Sequence, residues 1–348
     1  MKSVGKRKKQ QAKQIDNTAA RVFLGRRLSK IAGLITFLAL TSFAAVHFLQ
    51  SEAAKSSSVS VSFRQPATFA ELVAVKPEAV GAVDIGLMNL LCAEGLPGAE
   101  NLDVGQCMTN LDQWAQDIKW QLDQNFHHYQ ENPAYFYNST NFYKMMMMAS
   151  ILYSQYNIRY NPQRIETPAE TRPDDHFFAD SRDILIHGLL GSERMGTCSS
   201  MPVLYVALGR RLGYPVKLVA TKGHLFLRWD SPSERFDMDG TQKGMNEYDD
   251  EHFKQWPFPL TDEEIKTNGY LQSLTPAQEL SCFINTRAAC LHEAGRTRDT
   301  VSAYDAALRF EPNWQRNRLM LAYAQKIERA ENELPEQVSL PKSVPLAP

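Results

Sequence analysis

The segment from residue 196 to residue 241 constrains the fold most strongly, because it joins one short helix to two strands. A run in which apolar residues recur with helical spacing begins at G-T-C-S-S-M-P, with a proline in its first turn, and ends before Gly213 and Pro215. Cys198 is thereby predicted at the N-terminus of a helix. Unsatisfied backbone N–H groups and the helix dipole favour a thiolate at that position.

Short β-type runs follow this helix. An apolar run at 216–220 and a turn precede His224, which opens the next strand, and a further strand ends at Asp239. In an antiparallel pair these two ends meet, so we expect the carboxylate to hold the imidazole against the sulfur of Cys198. Asp237 is the rival for the acidic position.

This order of motifs resembles that of the transglutaminase-like superfamily, in which Gly-x-Cys opens a helix closed by Leu-Gly-(Ile/Tyr)-Pro. His224 and Asp239 stand at the second and third motifs, with D-G-T in place of the frequent D-P-T and Phe226 where a tryptophan is common. The resemblance covers residues 177–244, and the helical stretch before it is similar to the SirB1-like branch. It implies a papain-like fold and nucleophilic cysteine chemistry on amides, although some members of the family are inactive.

The fold class predicted for the chain is α+β. A papain/transglutaminase-like core at 171–270, built from a helix and a small antiparallel sheet, is flanked by an N-terminal helical domain at 67–170 and by C-terminal repeat-like helices. The run Met145 to Met148 is interpreted as core packing. One apolar stripe of a long helix in the N-terminal part is formed by Leu111, Trp114, Ile118, Leu122 and Phe126.

The C-terminal helices at 275–330 have a spacing that resembles a tetratricopeptide repeat. The residues that carry this spacing are Ala288, Gly295, Tyr304, Ala307 and Pro312. Because one and a half repeats do not bury their own faces, we expect these helices to pack on the catalytic core as a cap. Residues 256–259, W-P-F-P, are the predicted connector, and 331–348 is predicted to be a disordered tail.

The N-terminus predicts a membrane anchor. Residues 1–30 contain ten Lys or Arg against one acidic residue, and residues 31–49 carry no formal charge over 19 positions, which as a helix spans about 30 Å. A cleaved signal peptide and a buried core helix are the alternatives. The basic excess places segment 1–30 in the cytoplasm, so the linker at 50–66 and the bulk of the chain lie outside the cytoplasmic membrane.

The charge of the rest of the chain and its five cysteines indicate which partners and disulfides to expect. After residue 30 the chain has 28 basic and 38 acidic residues, which argues against broad nucleic-acid binding. A protein or peptide substrate and the membrane are the expected partners. In an oxidising compartment Cys92 and Cys107 could form a disulfide, whereas Cys282 and Cys290 lie too far apart on one helix, and Cys198 is the candidate for a free thiol.

The leading functional hypothesis is a thiol enzyme, either a cysteine protease or amidase or a transglutaminase-type acyltransferase, with no cofactor. Cys198 attacks an amide or ester carbonyl, His224 accepts and then delivers the proton, and Asp239 orients the imidazole. A metal site from Cys198, His224 and His252 has no ligand pair at a recognised spacing. The alternative is a catalytically inactive protein-binding module at the membrane surface.

Overall fold

The computed structural model describes residues 63–164, 176–241 and 245–333. From Arg64 onward these residues form one compact α+β unit, rich in helices. The helices are α1 (Phe69–Ala74), α2 (Ile85–Leu91), α3 (Val104–Gln124), α4 (His127–Glu131), α5 (Thr140–Ser154), α6 (Ser181–Ile184), α7 (His187–Leu190), α8 (Met201–Arg211), α9 (Asp250–Gln255), α10 (Asp262–Asn268), α11 (Pro276–Glu293), α12 (Thr297–Phe310) and α13 (Gln315–Glu333). Short 3-10 helices lie at Pro77–Ala82, Pro133–Phe136 and Pro162–Arg164.

Two sheets complete the described fold. A parallel pair joins β1 (Arg159–Tyr160) to β2 (Met195–Gly196). The larger sheet is antiparallel, with its strands in the order β3-β4-β5-β6. Its strands are β3 (Val216–Thr221), β4 (His224–Ser231), β5 (Glu234–Asp239) and β6 (Asn246–Tyr248). The helix and small antiparallel sheet expected for the core are therefore present.

Helix α8 lies at the centre of the core. Its residues from Met201 to Gly209 are all buried, and it packs against α2, α3, β3 and β4. Pro202 lies in its first turn as predicted, and Gly213, with φ of +75°, follows its end. Since the helix begins at Met201, Cys198 lies in the turn before the helix, not on its first residue.

The two faces of the larger sheet pack against different partners. One face joins the main core through residues such as Leu218, Leu227 and Met238. On the other face, Val219 and Phe226 form a small second core with Phe253 of α9, and the Phe226 and Phe253 rings stack with centroids 3.7 Å apart. His224 and Asp239 lie on this second face, and both are buried.

The last three helices pack one on the next, and α11 also packs on α2 and on the first 3-10 helix. A half-buried ion pair adds to this contact, because Nη1 of Arg210 in α8 donates to Oε2 of the fully buried Glu279 in α11 at 2.9 Å. These helices pack against the N-terminal helical region and, through Glu279, against Arg210 of the core, whereas their roles as a cap on the core and as tetratricopeptide repeats stay predictions.

The N-terminal helical region follows its sequence pattern with one exception. Four residues of the predicted stripe are buried, but Phe126 is 37% exposed because α3 ends at Gln124. Met145 and Met148 are fully buried, and the two methionines between them pack partly against the same core. Core packing of the methionine run is thus confirmed.

Among the described residues, no helix has both the length and the apolar character needed to cross a membrane. The predicted anchor at 31–49, the basic segment before it and the tail from residue 334 lie outside the described residues. All five cysteines are described, and all are free thiols, including Cys92 and Cys107, the pair proposed to form a disulfide.

Candidate functional site

The half-buried Cys198 lies in a turn that connects β2 to α8. The carbonyl of Thr197 accepts hydrogen bonds from the backbone N–H groups of Ser200 and Met201, at 3.1 and 2.9 Å. A Cβ on Gly196 would lie 2.4 Å from Oγ of Ser200, so glycine is required for the chain to enter the turn this closely. The Gly-Thr-Cys pattern therefore has a local geometric basis.

His224 is the first residue of β4, and its side chain is only 2% exposed. The ring of Trp256 packs edge-on against the imidazole, with centroids 4.6 Å apart. The centroid of the Phe253 ring lies 6.2 Å from that of the imidazole. Thr221, opposite His224 in the register, donates from its hydroxyl to the Phe253 carbonyl at 2.8 Å. The W-P-F-P segment, predicted only as a connector, thus contributes an aromatic wall to the site.

The start of β4 and the end of β5 lie side by side at the same end of the sheet, as the sequence predicts. Nε2 of His224 lies 3.5 Å from Oδ2 of Asp239, which is within ion-pair range but longer than a typical N–H···O hydrogen bond. The side chain of Cys198 interacts with this imidazole.

The D-G-T motif holds the carboxylate in place. Both the backbone N–H and the hydroxyl of Thr241 donate to Oδ1 of Asp239, at 2.9 and 2.7 Å, which leaves Oδ2 for His224. A Cβ on Gly240 would lie 2.5 Å from Cε2 of Tyr205, so glycine allows the motif to pack on α8. Each residue of the motif therefore has a distinct role in the geometry.

The electrostatics of the pair favour a charged imidazole and a charged carboxylate. Burial lowers the pKa of His224, but its interactions with Asp239 and Cys198 outweigh burial and raise that pKa to about 9. Burial raises the pKa of Asp239, but His224 and the two Thr241 donors more than offset it, so the pKa is lowered overall. At neutral pH the buried pair is therefore an imidazolium beside a carboxylate.

Asp237, the rival for the acidic position, has a different partner. It lies on the same face of β5 as Asp239 but opposite Arg228, whose Nη2 donates to Asp237 at 2.9 Å and to Asp250 at 2.5 Å. Burial raises the pKa of Asp237, although the guanidinium of Arg228 lowers it. The structure thus places Asp239, and not Asp237, beside His224.

Tyr160 is a site residue that the sequence did not reveal. It lies on β1 opposite Gly196, and its hydroxyl interacts with both the side chain and the backbone N–H of Cys198. Burial raises the pKa of Tyr160, and the contact with Cys198 adds to this, so the hydroxyl stays protonated at neutral pH. The separation of 38 positions between the two residues leaves no spacing pattern in the sequence.

In the described part of the chain, no group of three or more His, Cys, Asp or Glu side chains is arranged to hold a metal ion. His252, the third ligand considered from the sequence, stacks on Tyr248 with ring centroids 4.0 Å apart. The chemical content of the site is a thiol, a buried imidazolium–carboxylate pair and a phenol.

Comparison with known proteins gives one match. Residues 106–278 match the family model described as the transglutaminase-like superfamily. This segment is about half of the chain, runs from α3 into the beginning of α11, and contains Cys198, His224 and Asp239. No curated protein and no solved structure matches the chain.

Proposed function

We propose that this chain, whose residues 106–278 match the transglutaminase-like superfamily, is a thiol enzyme that acts on amide or peptide bonds. Cys198 is the nucleophile, His224 is the acid and base, and Asp239 orients His224. The observation that carries the proposal is the buried His224–Asp239 pair, with Nε2 and Oδ2 3.5 Å apart, and the interaction of the Cys198 side chain with the same imidazole. A buried pair of this kind is costly unless its partners compensate one another.

The reaction begins when Sγ of Cys198, as the thiolate, forms a bond to the carbonyl carbon. The carbonyl oxygen takes the negative charge, and we assign the backbone N–H of Cys198 and the hydroxyl of Tyr160, which interact with each other, as its donors. The imidazolium of His224 then gives its proton to the leaving nitrogen, and the C–N bond breaks. A thioester on Cys198 and a free amine result.

The second half of the reaction uses the same groups. The neutral imidazole accepts a proton from water or from an incoming amine, and the oxygen or nitrogen attacks the thioester carbon. The C–S bond breaks, and the thiolate and the imidazolium are restored. Water gives hydrolysis, and an amine gives acyl transfer.

The test is alkylation of the full chain in detergent micelles by iodoacetamide at pH 7. Cys198 should react faster than free cysteine, and His224→Ala should slow it by about 10- to 100-fold. The other four thiols serve as internal controls: burial raises the pKa of each, that of Cys107 to about 11 and those of Cys92 and Cys282 to about 12.

Two results would contradict the proposal. One is labelling of Cys198 at the rate of free cysteine, and the other is a fast rate that is unchanged in His224→Ala. The fast labelling should be lost in Cys198→Ser, which identifies Cys198 as the thiol that reacts. Either contradictory result would favour the alternative, a protein-binding module that uses the same fold.

The proposal includes a membrane anchor at residues 31–49, with the domain outside the cytoplasmic membrane. It is supported by the uncharged 19-residue run and the ten basic residues before it. A membrane-impermeant maleimide applied to intact cells should label Ser57→Cys but not Ser3→Cys, each in a chain whose five native cysteines are replaced by serine or alanine. Labelling of both or of neither before lysis, or recovery of the chain in the carbonate-soluble fraction, would contradict the anchor and its orientation.

A further inference from the structure

The turn that carries Cys198 is held by two buried hydroxyls. Oγ1 of Thr197 and Oγ of Ser200 both donate to the backbone carbonyl of Asp183, at 2.9 and 3.0 Å. Both residues are 0% exposed. One carbonyl oxygen therefore uses both of its lone pairs to fix the residues on either side of Cys198 and Ser199.

The same two hydroxyls also accept hydrogen bonds from the turn itself. The N–H of Thr197 donates to Oγ of Ser200 at 3.0 Å, and the N–H of Ser199 donates to Oγ1 of Thr197 at 3.3 Å. The N–H groups of Ser200 and Met201 donate to the Thr197 carbonyl. Within residues 197–201, this leaves the N–H of Cys198 as the donor that points out of the turn, toward Tyr160.

Asp183 is itself fixed from the opposite side. Its Oδ1 accepts from the Asn161 amide at 2.7 Å, and its Oδ2 accepts from Nε and Nη2 of Arg164 at 2.9 and 2.7 Å. The N–H of Asn161 donates to the Gly196 carbonyl at 2.8 Å. These bonds connect the residues just after β1 to Asp183 in α6 and to Gly196 at the end of β2.

We propose that Thr197 and Ser200 are positioning residues, which aim Sγ of Cys198 at the His224 imidazole by fixing the turn to the Asp183 carbonyl. The inference rests on the proposed function and extends it to two residues that do not touch the substrate. Cys198 is only half-buried, so the backbone of the turn, more than packing around the sulfur, sets its direction. A displacement of about 1 Å between reacting groups can cost about 100-fold in rate.

The experiment compares four single variants of the full chain in detergent micelles, together with the double variant Thr197→Val/Ser200→Ala. Thr197→Val removes the hydroxyl at nearly constant shape, Thr197→Ser keeps it, and Ser200→Ala removes the second donor. Thr300→Val is the matched control, because Thr300 is also fully buried and its hydroxyl donates to the Arg296 carbonyl in α12 at 3.0 Å. Urea unfolding and the pH profile of iodoacetamide alkylation are measured for each.

Thr197→Val and Ser200→Ala are expected to slow alkylation at pH 7 by about 10-fold or more and to change the pH profile of the rate. Thr197→Ser should stay within about twofold of wild type. Thr300→Val should lose stability without a change in rate or profile. In the double variant Thr197→Val/Ser200→Ala, the loss in the logarithm of the rate should be smaller than the sum of the two single losses, because both hydroxyls share one acceptor.

Wild-type rates and profiles in folded Thr197→Val and Ser200→Ala would overturn the inference. If Thr197→Val does not fold, Ser200→Ala decides alone. Slow labelling of the wild-type Cys198 would instead refute the proposed function. The two failures are therefore distinguishable in one data set.

Discussion

The raised pKa of His224 predicts how the stability of the domain depends on pH. The imidazole has an ordinary pKa of 6.5 when the chain is unfolded, and in the folded domain Asp239 and Cys198 outweigh the lowering effect of burial and raise that pKa to about 9. A group whose pKa is raised by folding stabilises the folded state below its unfolded pKa. That stability is lost as the pH rises through the folded pKa.

The magnitude follows from the size of the shift. A change from 6.5 to about 9, at 1.36 kcal/mol per unit, corresponds to about 3 kcal/mol of unfolding free energy. Because His224 is buried, solvent screening reduces this little. The contribution should be about 3 kcal/mol at pH 6, about 2 kcal/mol at pH 7.5 and below about 0.5 kcal/mol at pH 9.

The assay is urea unfolding of the full chain between pH 6 and pH 9, followed by tryptophan fluorescence. His224→Gln is measured in parallel, so the titration of other groups cancels in the difference between the two proteins. In Asp239→Asn, burial should lower the pKa of His224 below its unfolded value. The unfolding free energy of this variant relative to His224→Gln should therefore rise with pH instead of falling. If the unfolding free energy of wild type minus that of His224→Gln stays flat or increases from pH 6 to pH 9, the electrostatic reasoning is refuted.

Three further substitutions test the parts that support the site. Thr241→Val removes the 2.7 Å hydrogen bond to Asp239 and should cost about 1 to 2 kcal/mol in urea unfolding, whereas Thr241→Ser should not, and equal losses would be inconsistent with a role for the hydroxyl. Gly240→Ala places a Cβ 2.5 Å from Cε2 of Tyr205, so we expect a loss of about 1 to 3 kcal/mol; an unchanged melting temperature would show that α8 tolerates the methyl group. Arg210→Met leaves the buried Glu279 without its partner and should cost about 3 to 5 kcal/mol, most of it recovered in the double variant with Glu279→Leu, and no recovery would mean that packing, not charge, dominates there.

Much of the α+β core could be predicted from the sequence because its signals are local. Pro202 and Gly213 mark the ends of α8, and the turn before His224 fixes which strand ends meet. The acid could not be assigned from the sequence, because Asp237 and Asp239 lie on the same face of β5. The choice depends on Arg228, which lies directly opposite Asp237 and binds it.

Two features of the site depend on contacts that leave no local pattern. Tyr160 reaches Cys198 through a two-residue parallel pair, too short to be recognised in the sequence. Cys198 itself lies before α8 and not on its first residue, because the hydroxyls of Thr197 and Ser200 hold the preceding residues in a turn. The boundaries of the N-terminal anchor and the C-terminal tail lie outside the described residues, and they stay predictions.

The order of the site residues along the chain has a consequence for biosynthesis. Cys198 leaves the ribosome well before Asp239 and Trp256, and the imidazole has neither its carboxylate nor its aromatic wall until β5 and α9 have folded onto β4. In a nascent or truncated chain, Cys198 therefore lacks the assembled His224–Asp239 pair beside it. We expect the reactivity proposed for Cys198 to develop only in the finished domain.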